Sequence, residues 1–298
     1  MRKIIISILV FSLFFTSSLY ASKVKVVTTY PYINSIVEMI GKDRIKSEAL
    51  ARGDYDPHTI LPKPSFIAKL RKADLLIISG AQLEIGWLPP LLKQANNPSV
   101  NPGTPGFLDL SGFVKLIDVP KSVSREQGDI HPDGNPHYYL VPDNISKIAK
   151  AITAKLSAID SRNAAFFKKN YDDFISLWNK KTAEWNTKLR GLKGKKAIEY
   201  HKNYDYILHA YGINIAGTIE PLPGIPPTSK HIESLEKIIK TSHIDFILQD
   251  VYNPDEAARH LSQKYGIKLI KLPHDVGAVL EAEGIVSLFD EIVRRLTQ

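Results

Sequence analysis

Short apolar, β-branched runs alternate with stretches of helical period along most of this chain. Val24 to Thr29 (VKVVTT) reads as a first strand, and Pro31 opens a helix through about Ile40 that Gly41 closes. Ile45 to Ala51 reads as a second strand, Ser65 to Arg71 as a helix, and Asp74 to Ser79 as a third strand. Leu83 to Ala95 reads as a helix broken at Pro89 and Pro90. A second alternation fills the C-terminal half. Its strands are Lys195–Tyr200, Ile213–Thr218, Phe246–Asp250 and Lys268–Leu272; its helices are Tyr204–Tyr211, Lys230–Thr241, Pro254–Tyr265 and Gly284–Leu296. Strands alternating with helices predict parallel βαβ units.

Between the halves, Asp143 to Lys188 carries a helical period: Ile145, Ile148, Ile152, Leu156 and Ile159, then Phe166, Phe167, Phe174, Leu177, Trp178 and Trp185. Asp143 or Asn144 is the expected N-cap. The pattern predicts two α/β lobes, residues 22–141 and 191–298, joined by a stiff helical region over 142–190. Ligand is then expected in the crevice at the carboxyl ends of the strands.

The first 21 residues do not belong to this pattern. Arg2 and Lys3, an apolar run from Ile4 to Phe15, and Ala21 at the expected cleavage point read as a secretory signal over residues 1–21. The run is too short for a membrane span. Its removal lowers the formal charge from +8 to +6. The remaining lysines interleave with apolar and acidic residues, as on solvated helix faces, so no nucleic-acid partner is expected. The chain has no cysteine. Disulfides, thiolate metal sites, cysteine nucleophiles and a lipid anchor at the cleavage site are therefore excluded, and a free, monomeric periplasmic protein is expected.

Of nine histidines, three stand in proline-stiffened turns or at a strand end. His58 lies in GDYDPHTILPKPS, after the second strand; His137 lies in GDIHPDGNPHYYLVP, before the long helical segment; His201 ends the strand KKAIEY. Asp275 follows the last strand in LPHDVGA, beside His274. Three imidazoles and a carboxylate suit a borderline divalent ion such as zinc, and manganese accepts a similar set with more oxygen. On spacing alone, each of these histidines reads as a loop residue with a backbone hydrogen bond rather than as a ligand.

The motifs taken in order are more specific. GDYDPH, KADLLIISGAQLE, PHYYLVP, YHKNYDYILHAYGI and EPLPGIPPTS together resemble the zinc- and manganese-binding solute-binding proteins of metal ABC transporters, the ZnuA/TroA-like family, over nearly the whole mature chain. The resemblance implies two Rossmann-like lobes joined by a long rigid helix with a metal cleft between them. It implies capture of Zn2+, or Mn2+, and delivery to a membrane permease. It places the ligands on His58, His137, His201 and Asp275, with His274 as the rival for the fourth place. A histidine at 201 resembles the zinc-preferring members. The long His-rich loop of many zinc members is missing, and Asp129 to His137 stands in its place, with His131 as a possible accessory contact. Asp54, Asp56 and Glu220 are candidates to orient the rings.

Two other readings remain at this level: a receptor for a metal chelate or other small ligand, and a zinc hydrolase. The hydrolase would need an open coordination position and a general base, and no His-Glu-Xaa-Xaa-His helix is present. Imidazoles must be neutral to bind metal, so affinity should fall below about pH 6.5.

Overall fold

The structure, a computed structural model, describes residues 23–122 and 131–298. The signal expected over residues 1–21 and part of the Asp129–His137 stretch lie outside them. The first lobe carries a four-stranded, all-parallel sheet in the order β2-β1-β3-β4: β1 Val24–Thr28, β2 Ile45–Ala49, β3 Leu75–Ile78 and β4 Phe107–Asp109. The second carries β5 Lys196–Glu199, β6 Asn214–Thr218, β7 Phe246–Asp250 and β8 Lys268–Leu272, also all parallel, in the order β6-β5-β7-β8. The central strands are largely buried, as parallel strands covered by helices must be. Every residue of β7 is buried.

In the first lobe the helices are α1 Pro31–Gly41, α2 Pro64–Arg71 and α3 Leu88–Ala95. Pro89 and Pro90 do not break a longer helix. They sit in the first turn of α3, where the missing N–H groups have no intrahelical partner to lose. Residues 83–87, expected to be helical, form turns instead. The three-residue strand β4 was too short to leave a pattern in the sequence.

The linking region is two helices, α4 Pro142–Ile159 and α5 Ala164–Leu189, separated by a short 3-10 turn at Ser161–Asn163. The N-cap of α4 is Val141 with Pro142 at N1, rather than Asp143 or Asn144. Proline's fixed φ begins the helix two or three residues earlier than the side-chain caps suggested. Helix α5, at 26 residues, is the rigid strut. Near its start Asn170 Nδ2 donates to the Ile40 carbonyl at the end of α1 (2.9 Å). Towards its end Trp185 Nε1 donates to Asp290 Oδ1 (2.8 Å), on the last helix.

The second lobe adds α6 Asp205–Ala210, α7 Ser229–Thr241, α8 Glu256–Tyr265 and α9 Ile285–Thr297. Helix α9 closes the chain against α5, where Phe289 packs among Trp178 and Trp185 with ring centres 5.2 and 5.3 Å away. One continuous core runs from Val24 through α4 and α5 to Leu296, so the lobes share their interior. A smaller cluster lies under α7 and α8. Among the described residues no helix is long and apolar enough to cross a membrane.

Candidate metal centre

The carboxyl ends of both sheets face one crevice, and three turns carry a histidine into it. After β2, Pro57 is held by the Tyr30 hydroxyl, which donates to its carbonyl (2.8 Å). Asp56 Oδ1 accepts from the His58 backbone N–H (2.9 Å) and contacts His58 Nδ1 (2.9 Å). That contact makes Nδ1 the protonated nitrogen and turns the lone pair of Nε2 away from Asp56.

His201 stands two residues beyond β5. Its Nδ1 lies 2.7 Å from Glu220 Oε2, past the end of β6. Burial alone would depress this imidazole. The Glu220 hydrogen bond, with the charges of Glu220, Asp250 and Asp56, outweighs burial and raises its pKa above the usual histidine value.

His137 precedes α4. Its backbone N–H donates to Asn135 Oδ1 (2.9 Å), and Asn135 Nδ2 donates in turn to the Lys202 carbonyl (2.8 Å). One asparagine side chain thus ties the His137 turn to the His201 turn. Sequence reasoning passed over Asn135; its only signal was its place two residues before a histidine in a proline-bounded turn. Burial, then the neighbouring imidazoles, hold His137 well below the ordinary histidine range.

The ligand atoms of His58, His137 and His201 all lie within 4.8 Å of one another. Their ring centres are 5.1, 5.1 and 5.4 Å apart. His58 Nε2 and both ring nitrogens of His137 are shielded from solvent and have no hydrogen-bond partner among the described residues. Unpaired buried nitrogens are costly, and a cation between the rings resolves them. The residues therefore fit a nitrogen-ligated divalent ion. A cavity of ≈ 300 Å³ opens onto the site, lined by His131, His137, His201 and Glu220 among others. His131 lies 5.2 Å from the His58 ring. Burial first, then the charges of His58 and His201, push it down to about 3.

Asp275, expected as the fourth ligand, is not brought into the three-histidine set. Its Oδ1 accepts from the backbone N–H groups of Tyr32 (2.8 Å) and Val276 (2.6 Å), so it caps the first turn of α1. Burial pushes its carboxyl up to about 8. His274 is not in the set either: its Nε2 contacts the Tyr55 carbonyl (3.0 Å) and its ring meets Tyr252. Of the residues expected to orient the rings, Asp56 and Glu220 do so. Asp54 instead pairs with the Arg52 guanidinium on the surface (2.6 Å). A second group with ligand spacing, Asp118, Asp205 and His209, already holds the Lys202 ammonium, 3.2 Å from Asp118.

Two parallel α/β lobes on a shared strut, with imidazoles converging in the crevice between them, define a two-lobed metal-receptor class. The chain belongs to the family of zinc-uptake complex component A, periplasmic, whose model matches residues 26–298. It is 24% identical over 283 residues to the zinc-binding protein AdcA of Streptococcus pyogenes serotype M6, covering 90% of this chain and 55% of AdcA. The chain thus spans about half the length of that relative. It is 25% identical over 252 residues to the manganese ABC transporter substrate-binding lipoprotein PsaA of Streptococcus mitis, covering 83% of this chain and 78% of PsaA. Among solved structures it resembles a crystal structure of ZnuA (TM-score 0.73, 19% identity, 93% of this chain and 98% of that one). It also resembles a Mn-bound periplasmic metal-binding protein from Candidatus Liberibacter asiaticus (TM-score 0.76, 17% identity, 92% and 98%).

Proposed function

We propose that this chain captures a divalent transition-metal ion, zinc ahead of manganese, outside the cytoplasm and passes it to the permease of an ABC importer. The observation that carries this reading is the convergence of His58, His137 and His201, with ligand atoms within 4.8 Å and orphaned ring nitrogens facing one another. Imidazole donors suit zinc better than manganese. The relatives named for zinc and for manganese bracket the same choice. The role is capture without catalysis: the ion is cargo. On this reading the chain reaches its compartment by a cleaved leader over residues 1–21 and works there as a free monomer.

Titration of the purified mature protein with zinc tests the reading. The expected result is one tight equivalent, lost by more than about 100-fold in His58→Ala, His137→Ala and His201→Ala, beyond the roughly 10–100-fold that outer partners cost. Wild-type affinity in the His58→Ala and His201→Ala variants would remove this site from consideration.

A further inference from the structure

His274 has no place among the three converging imidazoles, yet it is only 1% exposed and its Nε2 reaches the Tyr55 carbonyl (3.0 Å), in the turn that carries His58. We propose that His274 is a positioning residue. It is the keystone of an arch that fastens the His58 turn of the first lobe to the His201 turn of the second, and it sets the spacing of those two rings before an ion arrives. The proposal rests on the metal-capture reading and deepens it.

On the first lobe the path is short. Tyr55 precedes Asp56, whose Oδ1 accepts from the His58 backbone N–H and contacts His58 Nδ1 (both 2.9 Å). A carbonyl only accepts, so His274 Nε2 carries the proton and donates it to Tyr55. The backbone beside the carboxylate that aims His58 is thus held from the other lobe.

On the second lobe the arch continues through Tyr252, whose ring meets His274 edge-on with centres 4.5 Å apart. Tyr252 Oη accepts from Asn203 Nδ2 (3.0 Å), and Asn203 N donates to the His201 carbonyl (2.7 Å). Asn203 is wholly buried, and its Nδ2 also reaches Asp250 Oδ2 (3.3 Å). A second tie runs alongside: Tyr204 Oη donates to the Leu272 carbonyl (2.9 Å), two residues before His274.

The N–H, rather than the bulk of the ring, is what the fold keeps at 274. His274 Nδ1 is shielded from solvent and has no partner among the described residues. An apolar side chain would fill the same space without burying an unpaired nitrogen. At the same junction a Cβ on Gly53 would overlap the Val276 carbonyl oxygen, so the two turns already meet backbone to backbone. His274 adds a directed hydrogen bond across that meeting.

Ligands gathered from two lobes must be ordered each time an ion binds, and rings held in advance avoid that entropy loss. The ring centres of His58 and His201 stand 5.1 Å apart with no ion between them. Cutting the arch should therefore weaken capture without removing a donor.

Zinc titrations of wild type, His274→Leu, His274→Gln and Tyr252→Phe test this, paired with visible absorption of the cobalt-loaded proteins and thermal unfolding of the metal-free ones. Gln offers an amide N–H near the place of Nε2, and Leu offers none. We expect His274→Leu to bind zinc about 10–100-fold more weakly with altered cobalt bands, Tyr252→Phe to lose about tenfold, and His274→Gln to recover to within about threefold of wild type. His274→Leu within about threefold of wild type overturns the proposal, as do equal losses in Leu and Gln that follow the thermal midpoint. A loss in His274→Gln as large as that in His58→Ala would make His274 a donor and overturns it too. If His274→Leu does not fold, Tyr252→Phe decides: unchanged affinity and cobalt bands there overturn the arch. A wild type that takes up no zinc overturns the capture reading, and is told apart before any variant is compared.

Discussion

Glu220 Oε2 lies 2.7 Å from His201 Nδ1, and this contact decides which nitrogen of His201 faces the cleft. The carboxylate accepts the Nδ1 proton, leaving the Nε2 lone pair for an ion and making it a stronger donor. It also raises the proton affinity of the ring. Metal binding requires neutral imidazole, so a raised pKa means that protons begin to compete at a higher pH than at an ordinary histidine, and affinity falls as pH falls through that range. Glu220→Ala should therefore weaken zinc binding at pH 8 by about 10–100-fold. It should also move the onset of acid release to lower pH. Zinc titrations between pH 5 and 8 read both effects, and an unchanged onset would show that Glu220 does not govern the ring.

Asn135 is a strut between two turns. Its Oδ1 takes the His137 N–H and its Nδ2 gives to the Lys202 carbonyl, one residue past His201. Asn135→Asp keeps the first contact and loses the second donor. It also sets a buried carboxylate oxygen against the Lys202 carbonyl and Asp205 Oδ2, so the expected outcome is a zinc affinity reduced by about 10-fold or more together with a lower thermal midpoint. Equal affinity in calorimetric titration would show that the two turns hold their spacing without it.

Glu84 offers a pH test away from the metal. It is buried, with Oε1 accepting from Thr29 Oγ1 and Ser79 N (both 2.7 Å) and Oε2 from Gly80 N (3.0 Å). Burial outweighs these donors and pushes its carboxyl from 4.5 up to about 7. The folded state then holds the proton more tightly than the unfolded chain. The stabilisation is fully present below about pH 4.5 and is lost as pH rises through 7, a change of about 3 kcal/mol. Urea unfolding at pH 5 and pH 8 should show this fall in wild type. Glu84→Gln, which cannot ionise, should lose less stability over the same interval, and parallel losses would refute the assignment.

The joint between α5 and α9 should be the mechanical centre of the fold. Phe289→Ala would open a cavity among Trp178 and Trp185 and cost about 3–5 kcal/mol. Asp290→Ala would orphan the Trp185 N–H, a cost of about 1–3 kcal/mol. Chemical denaturation measures both, and Phe289→Ala should be the more damaging.

Gly53 lies where the GDYDPH turn meets the turn after β8. A Cβ there would overlap the Val276 carbonyl oxygen. Gly53→Ala should push the two lobes' turns apart, lowering both the thermal midpoint and zinc affinity. A variant that melts and binds as wild type would mean that the turns yield without consequence.

The strands were legible because parallel strands covered on both faces read as short, mostly apolar runs between helical stretches. Val24 to Thr28 and Phe246 to Asp250 left little ambiguity. The turn at Ser161–Asn163 was not legible, since Asp160 and its neighbours interrupt the helical period by only a few residues. The convergence of His58, His137 and His201 could not be read from spacing; only the ordered motifs suggested it, because the contacts join residues far apart in the chain. Asp275 shows the limit most clearly. Its place after a strand did not reveal that its Oδ1 accepts from the backbone N–H of Tyr32, 243 positions away, at the start of a helix.

Because the 26-residue α5 is seated on both lobes and one core runs through them, empty and loaded molecules should present nearly the same silhouette. On the proposed reading, a permease that accepts only the loaded form could not gauge it by how far two halves have swung together. It would have to feel the rim, where the turns bearing His131 and His201 meet the mouth of the cavity, so the message carried to the membrane would be one of surface relief.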